Sequence, residues 1–431
     1  MKYLSTRGEA PAVSLGTAIN AGLAPDGGLY IPETLPQLSV QSFNAKDSLA
    51  RIAARLLAPF FDGDNLAAEL EEICAEAFTF PTPLEPLAST GDHVLELFHG
   101  PTAAFKDFGA RFLAACMRRM PRTSSRALKI LVATSGDTGA AVAGAFAGQT
   151  DFHVVILYPD GRVSPRQAHQ LGCFGGNVSA LRVAGSFDDC QGMVKQAFAD
   201  TALRAQVPLS SANSISLGRL LPQMAYYAHA ALLHLRARDE MLNFVIPTGN
   251  LGNAFACILT RACGLPIGRI VLATNANQTL HDFFAGAAYT PRASVATLAN
   301  AMDVGNPSNF ERLRWLYPDD TQLRRHFMMD AIGDEAIRTT IRSRFAVHGE
   351  ILCPHTATAV RTLEGLRQEG AAGAWAVVAT AHAAKFDTIV EPLIGRAVAV
   401  PEALAGLLAR PATAAPLAAT YNALHGYLLG N

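Results

Sequence analysis

Five short apolar runs recur along the chain from about residue 90 onward, and stretches with helical periodicity separate them. The runs, each followed by a polar turn, lie at residues 129–134, 153–158, 243–247, 269–274 and 375–380. Near-continuous apolar strands that alternate with helices are typical of a parallel sheet covered on both faces. The pattern therefore predicts the α/β class, with ligands bound beyond the carboxyl ends of the strands, where the polar turns lie.

The two ends of the chain have a different pattern. Residues 14–22 and 49–57 are predicted to be helices, and residues 26–32 a turn that leads into a short strand. The tail after Val400 is rich in alanine and leucine, which predicts a helix docked on the body of the protein. The predicted organisation is an N-terminal lobe, a small α/β domain region, a large α/β domain and a C-terminal docking helix, at residues 1–85, 86–235, 236–400 and 401–431.

Composition excludes several classes of protein. Of the 431 residues, 50% are hydrophobic and 16% charged, and the net charge is −1, which disfavours disorder and nucleic-acid binding. No apolar run is long enough for a membrane span, and no secretory signal is visible. The seven cysteines include no CxxC pair and the 12 histidines are scattered, so we expect no metal site. We therefore expect a cytoplasmic protein that binds neither membranes nor nucleic acid.

One lysine stands out for its surroundings. Lys106 lies in the segment 98–109, between Phe105 and Asp107, immediately before residues that favour helix. Desolvation and the positive end of a helix would both lower the pKa of its ammonium. Lysines with a lowered pKa form Schiff bases. The alternative is an ordinary lysine whose ammonium reaches water.

Two further segments combine a strand end with a helix start. Segment 134–140 contains small hydroxyl side chains, and segment 247–253 contains two glycines and two asparagines. Backbone N–H groups in such turns bind anions such as phosphate. Neither segment matches the dinucleotide or P-loop motif. The alternative for both is a plain capped turn.

The last two segments offer hydrogen-bond donors. In segment 211–220, Asn213, Ser214 and Arg219 suit a phosphate monoester, because arginine binds phosphate through two parallel hydrogen bonds. The alternative is a capped helix start with a surface arginine. Segment 380–386 begins with a threonine whose hydroxyl would lie at the end of a strand, although a lone threonine is usually structural.

Taken together and in this order, the five segments resemble the threonine synthase family of pyridoxal-phosphate (PLP) enzymes of fold type II. The resemblance extends to residues 3–8, 22–32 and 302–312, so it spans nearly the whole chain, and it is strongest to the longer, microbial and fungal type. It implies a tryptophan-synthase-β-like fold, with two open parallel-sheet domains, helices on both faces of each sheet, and an N-terminal lobe. The sequence assigns no role to the 303–312 part of this resemblance.

The resemblance implies a role for each candidate residue. Lys106 would be the Schiff-base lysine and the base, Thr380 would contact the pyridine nitrogen, and Asp137 would face the ring hydroxyl. The cofactor phosphate would be held by Gly249, Asn250, Leu251, Gly252 and Asn253. The substrate would be bound by Ser135, Thr138, Asn213, Ser214 and Arg219.

The implied reaction converts O-phospho-L-homoserine and water to L-threonine and phosphate, the last step of threonine biosynthesis, by γ-elimination and β-addition of water. The alternative is a related PLP-dependent phospho-lyase or dehydratase that releases a 2-oxo acid. A catalytically silent sensor of a phosphometabolite is disfavoured, because Lys106 and Thr380 are both present. Two positions depart from the family, Ser216 for asparagine and Ala383 for proline. We expect a monomer or a homodimer.

Overall fold

The computed structural model describes residues 1–44, 46–88, 91–121 and 126–430, and its strands form three sheets within those ranges. The strands are, in chain order, β1 (Tyr3–Ser5), β2 (Tyr30–Pro32), β3 (Leu84–Leu87), β4 (Asp92–Glu96), β5 (Leu128–Ala133), β6 (Phe152–Pro159), β7 (Val178–Val183), β8 (Leu209–Ser211), β9 (Leu242–Pro247), β10 (Ile267–Thr274), β11 (Met328–Ala331), β12 (Trp375–Ala379) and β13 (Ala415–Leu417).

Helices connect and cover these strands. The α-helices of the same residues are α1 (Leu15–Ala21), α2 (Leu49–Leu57), α3 (Leu70–Ala77), α4 (Lys106–Arg119), α5 (Asp137–Phe146), α6 (Pro165–Gly172), α7 (Phe187–Ala199), α8 (Thr201–Gln206), α9 (Leu217–Leu220), α10 (Met224–Arg238), α11 (Gly252–Ala262), α12 (Thr279–Phe284), α13 (Phe310–Leu316), α14 (Asp320–His326), α15 (Asp334–His348), α16 (Pro354–Gln368), α17 (Asp387–Ile394), α18 (Glu402–Leu408) and α19 (Tyr421–Leu429). No helix in the described part of the chain is both long and apolar enough to cross a bilayer.

Two larger sheets build the body of the protein. The six-stranded sheet has the order β11-β10-β9-β12-β4-β3, and the five-stranded sheet has the order β13-β7-β6-β5-β8. All neighbours are parallel except β3 and β4. The third sheet is the antiparallel pair β1-β2 of the N-terminal region.

Both faces of the larger sheets are buried, as the near-continuous apolar runs predict. In β5, Ile130 and Val132 join the largest hydrophobic cluster on one face, whereas Leu131 joins a separate cluster with α7 and α19 on the other. In β12, Val378 and Val377 divide in the same way between the largest cluster and a cluster with α15 and α16. Helices therefore cover both faces of each sheet, and the α/β prediction is confirmed.

The five predicted runs are the five strands β5, β6, β9, β10 and β12, and the predicted helix 49–57 is α2. The division into domains stays a prediction. Two strands, β4 and β13, pair with strands that lie outside their own predicted regions. β4 lies in the predicted small domain region but pairs with β12 of the six-stranded sheet. β13 lies in the tail, beside the predicted docking helix, and pairs with β7. Both strands are short, and their partners are distant in sequence, so local pattern carries no signal for these pairings.

A buried arginine joins the N-terminal region to the body. Arg312 is fully buried, and its Nε and Nη2 donate to the carbonyl oxygen of Tyr30 in β2, at 3.1 and 2.9 Å. Nη2 also donates to the carbonyl oxygen of Ile215 at 2.7 Å, and Nη1 donates to Oδ1 of Asn309 at 2.7 Å. One side chain therefore satisfies acceptors on three separate segments.

We expect Arg312→Met to lower the free energy of unfolding by about 3 kcal/mol, because each buried acceptor left without a donor costs roughly 1–3 kcal/mol. Urea unfolding followed by circular dichroism measures the change. The control is Arg325→Met, which removes an exposed arginine of α14 and should change stability by less than about 0.5 kcal/mol. Equal effects of the two substitutions would contradict the role given to Arg312.

Candidate active site

Lys106 is the first residue of α4, and the backbone before it is bound to the end of β12. The amide of Phe105 donates to the carbonyl oxygen of Thr380 at 2.9 Å, and the amide of His382 donates to that of Ala103 at 3.1 Å. Ala103 adopts a left-handed conformation with φ +55°, which is unusual for a residue with a side chain and clusters at functional sites. These contacts place the backbone of the turn that presents Lys106 beside Thr380.

The start of α4 is fixed by Asp107, whose carboxylate is buried. Its oxygens accept hydrogen bonds from the amide and the hydroxyl of Thr102, at 2.8 and 2.7 Å. The chain before the helix packs so closely on this carboxylate that a Cβ on Gly100 would lie 2.4 Å from Oδ2 of Asp107. Asp107 therefore stabilises the turn that presents Lys106. Although it neighbours Lys106 in sequence, its hydrogen bonds are made to Thr102.

The amine of Lys106 is half-buried and has no hydrogen-bond partner among the described residues. It lies 5.4 Å from the centre of the Phe105 ring. Burial lowers the pKa of Lys106 to about 8, and the carboxylate of Asp137 opposes this shift. The cations of Arg219 and Lys385 lower the pKa further. Lys106 thus combines a free amine with a lowered pKa, which a nucleophile or a base requires.

Asp137 is the first residue of α5 and is buried. Oδ1 accepts hydrogen bonds from Nζ of Lys385 at 2.8 Å and from Nε2 of Gln167 at 2.9 Å. Burial alone would raise the pKa of Asp137, but the cations of Lys385 and Lys106 outweigh it and, with these hydrogen bonds, lower the pKa to about 2. Asp137 is therefore an ionised carboxylate next to the amine of Lys106.

The turn before α5 leaves two hydroxyl groups free. Oγ1 of Thr134 accepts hydrogen bonds from the amides of Gly136 and Gly139, both at 3.0 Å, and so closes the turn. Gly136 has φ +129°, a conformation that requires glycine. The hydroxyls of Ser135 and Thr138 are half-buried and make no hydrogen bond within the described residues. They remain available to a ligand at the start of the helix.

The predicted phosphate loop follows β9 and leads into α11, which begins at Gly252. Leu251 adopts a left-handed conformation with φ +61° immediately before the helix. A Cβ on Gly249 would lie 2.7 Å from Cα of Met302, so only glycine fits there. The loop ends at the N-terminus of an 11-residue helix, whose first N–H groups bind anions.

Asn253 directs a free donor at this helix start. Its Oδ1 accepts hydrogen bonds from the hydroxyls of Tyr226 and Tyr227, the second at 3.0 Å. Both tyrosines are fully buried. The Nδ2 group of Asn253 is buried and has no partner in the described part of the chain. Because the two tyrosines fix the carbonyl side of the amide, the amino side is held ready for an acceptor.

The predicted substrate-phosphate segment contacts the phosphate loop directly. Nδ2 of Asn250 donates to the hydroxyl of Ser214 at 3.0 Å. Arg219 is almost fully buried and donates through Nη1 to the carbonyl oxygen of Ala212 at 2.6 Å. Its Nε and the Oδ1 of Asn213 are buried and have no hydrogen-bond partner among the described residues. Burial lowers the pKa of this guanidinium to about 10, and the nearby carboxyl group of Asp107 opposes the shift.

These two segments therefore contain two buried donors that have no acceptor among the described residues, Nδ2 of Asn253 and Nε of Arg219. Leaving a buried donor unpaired is costly, so such groups in a cleft indicate a ligand that supplies acceptors. Phosphate oxygens suit both donors. Two phosphate groups would fit here, one at the glycine turn and helix N-terminus and the other at the buried guanidinium. The free amine of Lys106 suits the aldehyde of PLP. No group of potential metal ligands was found among the described residues.

Comparisons with known proteins identify the family of the chain. Residues 76–383 match the family described as pyridoxal-phosphate dependent enzyme, residues 2–78 match the threonine synthase N terminus, and residues 356–427 match the threonine synthase C-terminal family. The threonine synthases of Serratia marcescens and Escherichia coli are 39% and 38% identical to the chain, over 100% of it and 99% and 100% of their own lengths. The chain belongs to the threonine synthase family.

Solved structures of this family have the same fold. The crystal structure of threonine synthase from Escherichia coli matches with a TM-score of 0.91 at 36% identity, and each chain is covered completely. The PLP-bound threonine synthase from Brucella melitensis matches with a TM-score of 0.88 at 36% identity, over 99% of this chain and 98% of its own. The chain is thus a PLP-dependent lyase of fold type II, and the predicted fold class, family and cofactor are confirmed.

The threonine synthase segment 302–312, to which the sequence assigned no role, braces the phosphate loop. The amide of Ser308 donates to Oδ1 of Asn250 at 2.6 Å, and Nδ2 of Asn309 donates to the carbonyl oxygen of Asn250 at 2.9 Å. Asn309 is held in turn by Arg312. Met302 packs against Gly249. The only sequence signal for this role is the family resemblance of the segment.

The two departures from the threonine synthase pattern lie close to these loops. Ser216 is fully buried at the start of α9, and its hydroxyl has no partner within the described residues. Ala383 is the first residue of the 3-10 turn Ala383–Phe386, which follows β12. That turn also carries Lys385, a site residue that sequence reasoning missed, as it missed Gln167.

We expect the amine of Lys106 to react with acetic anhydride, in cofactor-free protein, with a pH midpoint near 8, because burial lowers its pKa. The neutral amine is the nucleophile, so reactivity rises as the pH rises through the pKa, and a lowered pKa moves this rise to lower pH. An ordinary lysine titrates near about 10.4. Competitive labelling with mass spectrometry measures the midpoint, and the peptide with the exposed Lys195 serves for comparison. A midpoint near 10 for Lys106 would contradict the prediction.

Proposed function

We propose that this site converts O-phospho-L-homoserine and water to L-threonine and phosphate. The observation that carries the proposal is the pair of buried, unpartnered donors, Nδ2 of Asn253 and Nε of Arg219, on two segments joined by the hydrogen bond from Asn250 to Ser214. This arrangement suits two phosphate groups side by side. One belongs to the cofactor, and the second indicates a phosphorylated substrate.

The cofactor is assigned to one wall of the site. Gly249, Asn250, Leu251, Gly252 and Asn253 would hold its phosphate, and Thr380 would contact the pyridine nitrogen. The hydroxyl of Thr380 makes no hydrogen bond within the described residues and is free for this contact. When bound, PLP supplies the electron sink that makes removal of protons from the substrate carbons feasible.

Lys106 holds and moves the protons. Its lowered pKa keeps a substantial fraction of the amine neutral near pH 8, so the amine can take the proton from Cα of the substrate and return it later. Asp137 remains ionised beside it, and in the proposed site it faces the ring hydroxyl of the cofactor. The free hydroxyls of Ser135 and Thr138 orient the substrate at the N-terminus of α5.

Arg219 serves the leaving group. When the bond from Cγ to the phosphate oxygen breaks, the electron pair leaves with the phosphate, and negative charge grows on its oxygens. A buried guanidinium without a carboxylate partner stabilises this charge more than a solvated one. Asn213 and Ser214 supply further neutral contacts to the same phosphate.

We place the reaction in the cytoplasm. All seven cysteines are free and buried, which suits a reducing compartment. The substrate is a small molecule, and a monomer or a homodimer, binding neither nucleic acid nor membrane, remains the prediction for the assembly.

Incubation of PLP-loaded protein with O-phospho-L-homoserine should release inorganic phosphate and L-threonine in equal amounts. Lys106→Ala should abolish release of both while leaving the circular dichroism spectrum unchanged, because it removes the group that takes the Cα proton. Phosphate with 2-oxobutyrate would instead assign a phospho-lyase. Full activity of Lys106→Ala would contradict the mechanism.

Arg219→Ala should lower kcat/KM for O-phospho-L-homoserine roughly 10- to 100-fold, because a hydrogen bond to a charged group contributes about 1.5–3 kcal/mol. Retention of PLP through gel filtration should change little. Arg204→Ala, which removes an exposed arginine of α8, is the control and should leave both quantities unchanged. Equal losses of PLP and of kcat/KM in Arg219→Ala would contradict the assignment to the substrate.

A further inference from the structure

A second lysine lies in the site without a role in the proposed reaction. The side chain of Lys385 is completely buried, in the turn that follows β12. Its Nζ donates to Oδ1 of Asp137 at 2.8 Å and to the carbonyl oxygen of Thr102 at 2.7 Å. A buried lysine needs such compensation, because removing an ammonium from water is costly unless it is paired.

The ammonium of Lys385 joins three of the segments that carry the chemistry. Thr102 belongs to the turn that presents Lys106, and Asp137 begins α5. Lys385 itself lies in the 3-10 turn that follows Thr380. Thr102 also donates both hydrogen bonds that fix Asp107 at the start of α4. One charged group therefore sets the spacing between the turn before Lys106, the carboxylate and the end of β12.

We propose that Lys385 is a positioning residue for the reaction, which holds the Asp137 carboxylate in place and balances its charge, so that Asp137 does not form an ion pair with Lys106. The inference rests on the proposed function, in which Lys106 acts as the base. A carboxylate without its own cation would draw the ammonium form of Lys106 into a salt bridge and remove the free amine. Gln167 supports the same geometry through its hydrogen bond to Oδ1 of Asp137.

The charges around Lys106 explain why the balance matters. Asp137 raises the pKa of Lys106, whereas Lys385 lowers it, so the two groups act in opposite directions. Arg219 lowers the pKa as well. Removing Lys385 alone should leave only Arg219 to oppose the attraction of Asp137, and removing Asp137 alone should leave two cations facing Lys106.

The other titratable groups that face this cluster do not titrate near pH 8. Burial lowers the pKa values of His355 and His382 to about 4, so both imidazoles are neutral. Burial raises the pKa of Cys353, so its thiol stays protonated. Burial raises the pKa of the Asp107 carboxyl group from that of an ordinary aspartate, and the two hydrogen bonds from Thr102 oppose this rise. A shift in the titration of Lys106 therefore reports on the Asp137–Lys385 pair.

Competitive labelling of Lys106 with acetic anhydride, in cofactor-free protein, tests the proposal. Lys385→Met should move the pH midpoint up by about one unit or more, and Asp137→Asn should move it down by a similar amount, since a charge nearby shifts a pKa by roughly 1–3 units. The double variant carries neither charge and should return to within about half a unit of the parent. Lys129→Met is the control. Nζ of Lys129 donates to the carbonyl oxygen of Leu428 in α19 and not to any of these segments, so its removal should cause no shift.

A purely structural role gives a different result. If Lys385 only fills space, the variants lose thermal stability, but Lys385→Met leaves the midpoint of Lys106 at that of the parent and does not reverse the downward shift of Asp137→Asn, which would overturn the proposal. Should Lys385→Met fail to fold, Asp137→Asn and the double variant carry the same test, with a downward shift that the second substitution reverses. Absence of that reversal would equally overturn it.

The labelling uses neither cofactor nor substrate, so its outcome is independent of which product the loaded protein makes. In the loaded protein, the pH profile of kcat reports the groups of the enzyme–substrate complex, in which the amine of Lys106 is free to act as the base. Its acid limb should move upward in Lys385→Met, in the same direction as the labelling midpoint. A loss of kcat that is equal at every pH would contradict the positioning role while leaving the proposed reaction intact.

Discussion

Two backbone hydrogen bonds, between the turn before α4 and the end of β12, are the constraint on which the site depends. They run from the amide of Phe105 to the carbonyl oxygen of Thr380 and from the amide of His382 to that of Ala103. Because backbone groups make them, they hold the two segments together whatever the side chains are. They place Lys106 at a helix start beside the strand end that carries Thr380, and the following turn brings Lys385 to the carbonyl oxygen of Thr102.

The electrostatics of the site follow from that arrangement. The parallel strands are buried on both faces, so the groups at their carboxyl ends are largely removed from water, and burial is the first cause of the lowered pKa of Lys106, about 8, and of Arg219, about 10. Asp137 is buried too, yet ionised, because cations surround it. The site thus places three basic side chains, Lys106, Lys385 and Arg219, among two buried acidic ones, Asp137 and Asp107, and the basic excess suits a substrate and a cofactor that both carry phosphate.

Local patterns predicted the parts of this structure that local physics determines. Buried parallel strands must be apolar throughout, so the five runs gave the strands to within two residues at each end, and the glycine- and hydroxyl-rich turns marked the helix starts. Residues that act across long stretches of chain gave no such signal. Lys385 and Thr102 are 283 residues apart, and Arg312 and Tyr30 are 282 apart. Only folding makes these pairs neighbours, and a lysine or an arginine in an ordinary turn or helix is indistinguishable from a solvated one.

The central claim is that one cleft holds the cofactor between Lys106, Thr380 and the loop 249–253. A crystal structure of the PLP-loaded protein tests this most directly. We expect continuous density from Nζ of Lys106 to the cofactor, the cofactor phosphate within hydrogen-bond distance of Nδ2 of Asn253, and the pyridine nitrogen beside the hydroxyl of Thr380. A cofactor attached to another lysine, or a phosphate bound away from this loop, would contradict it.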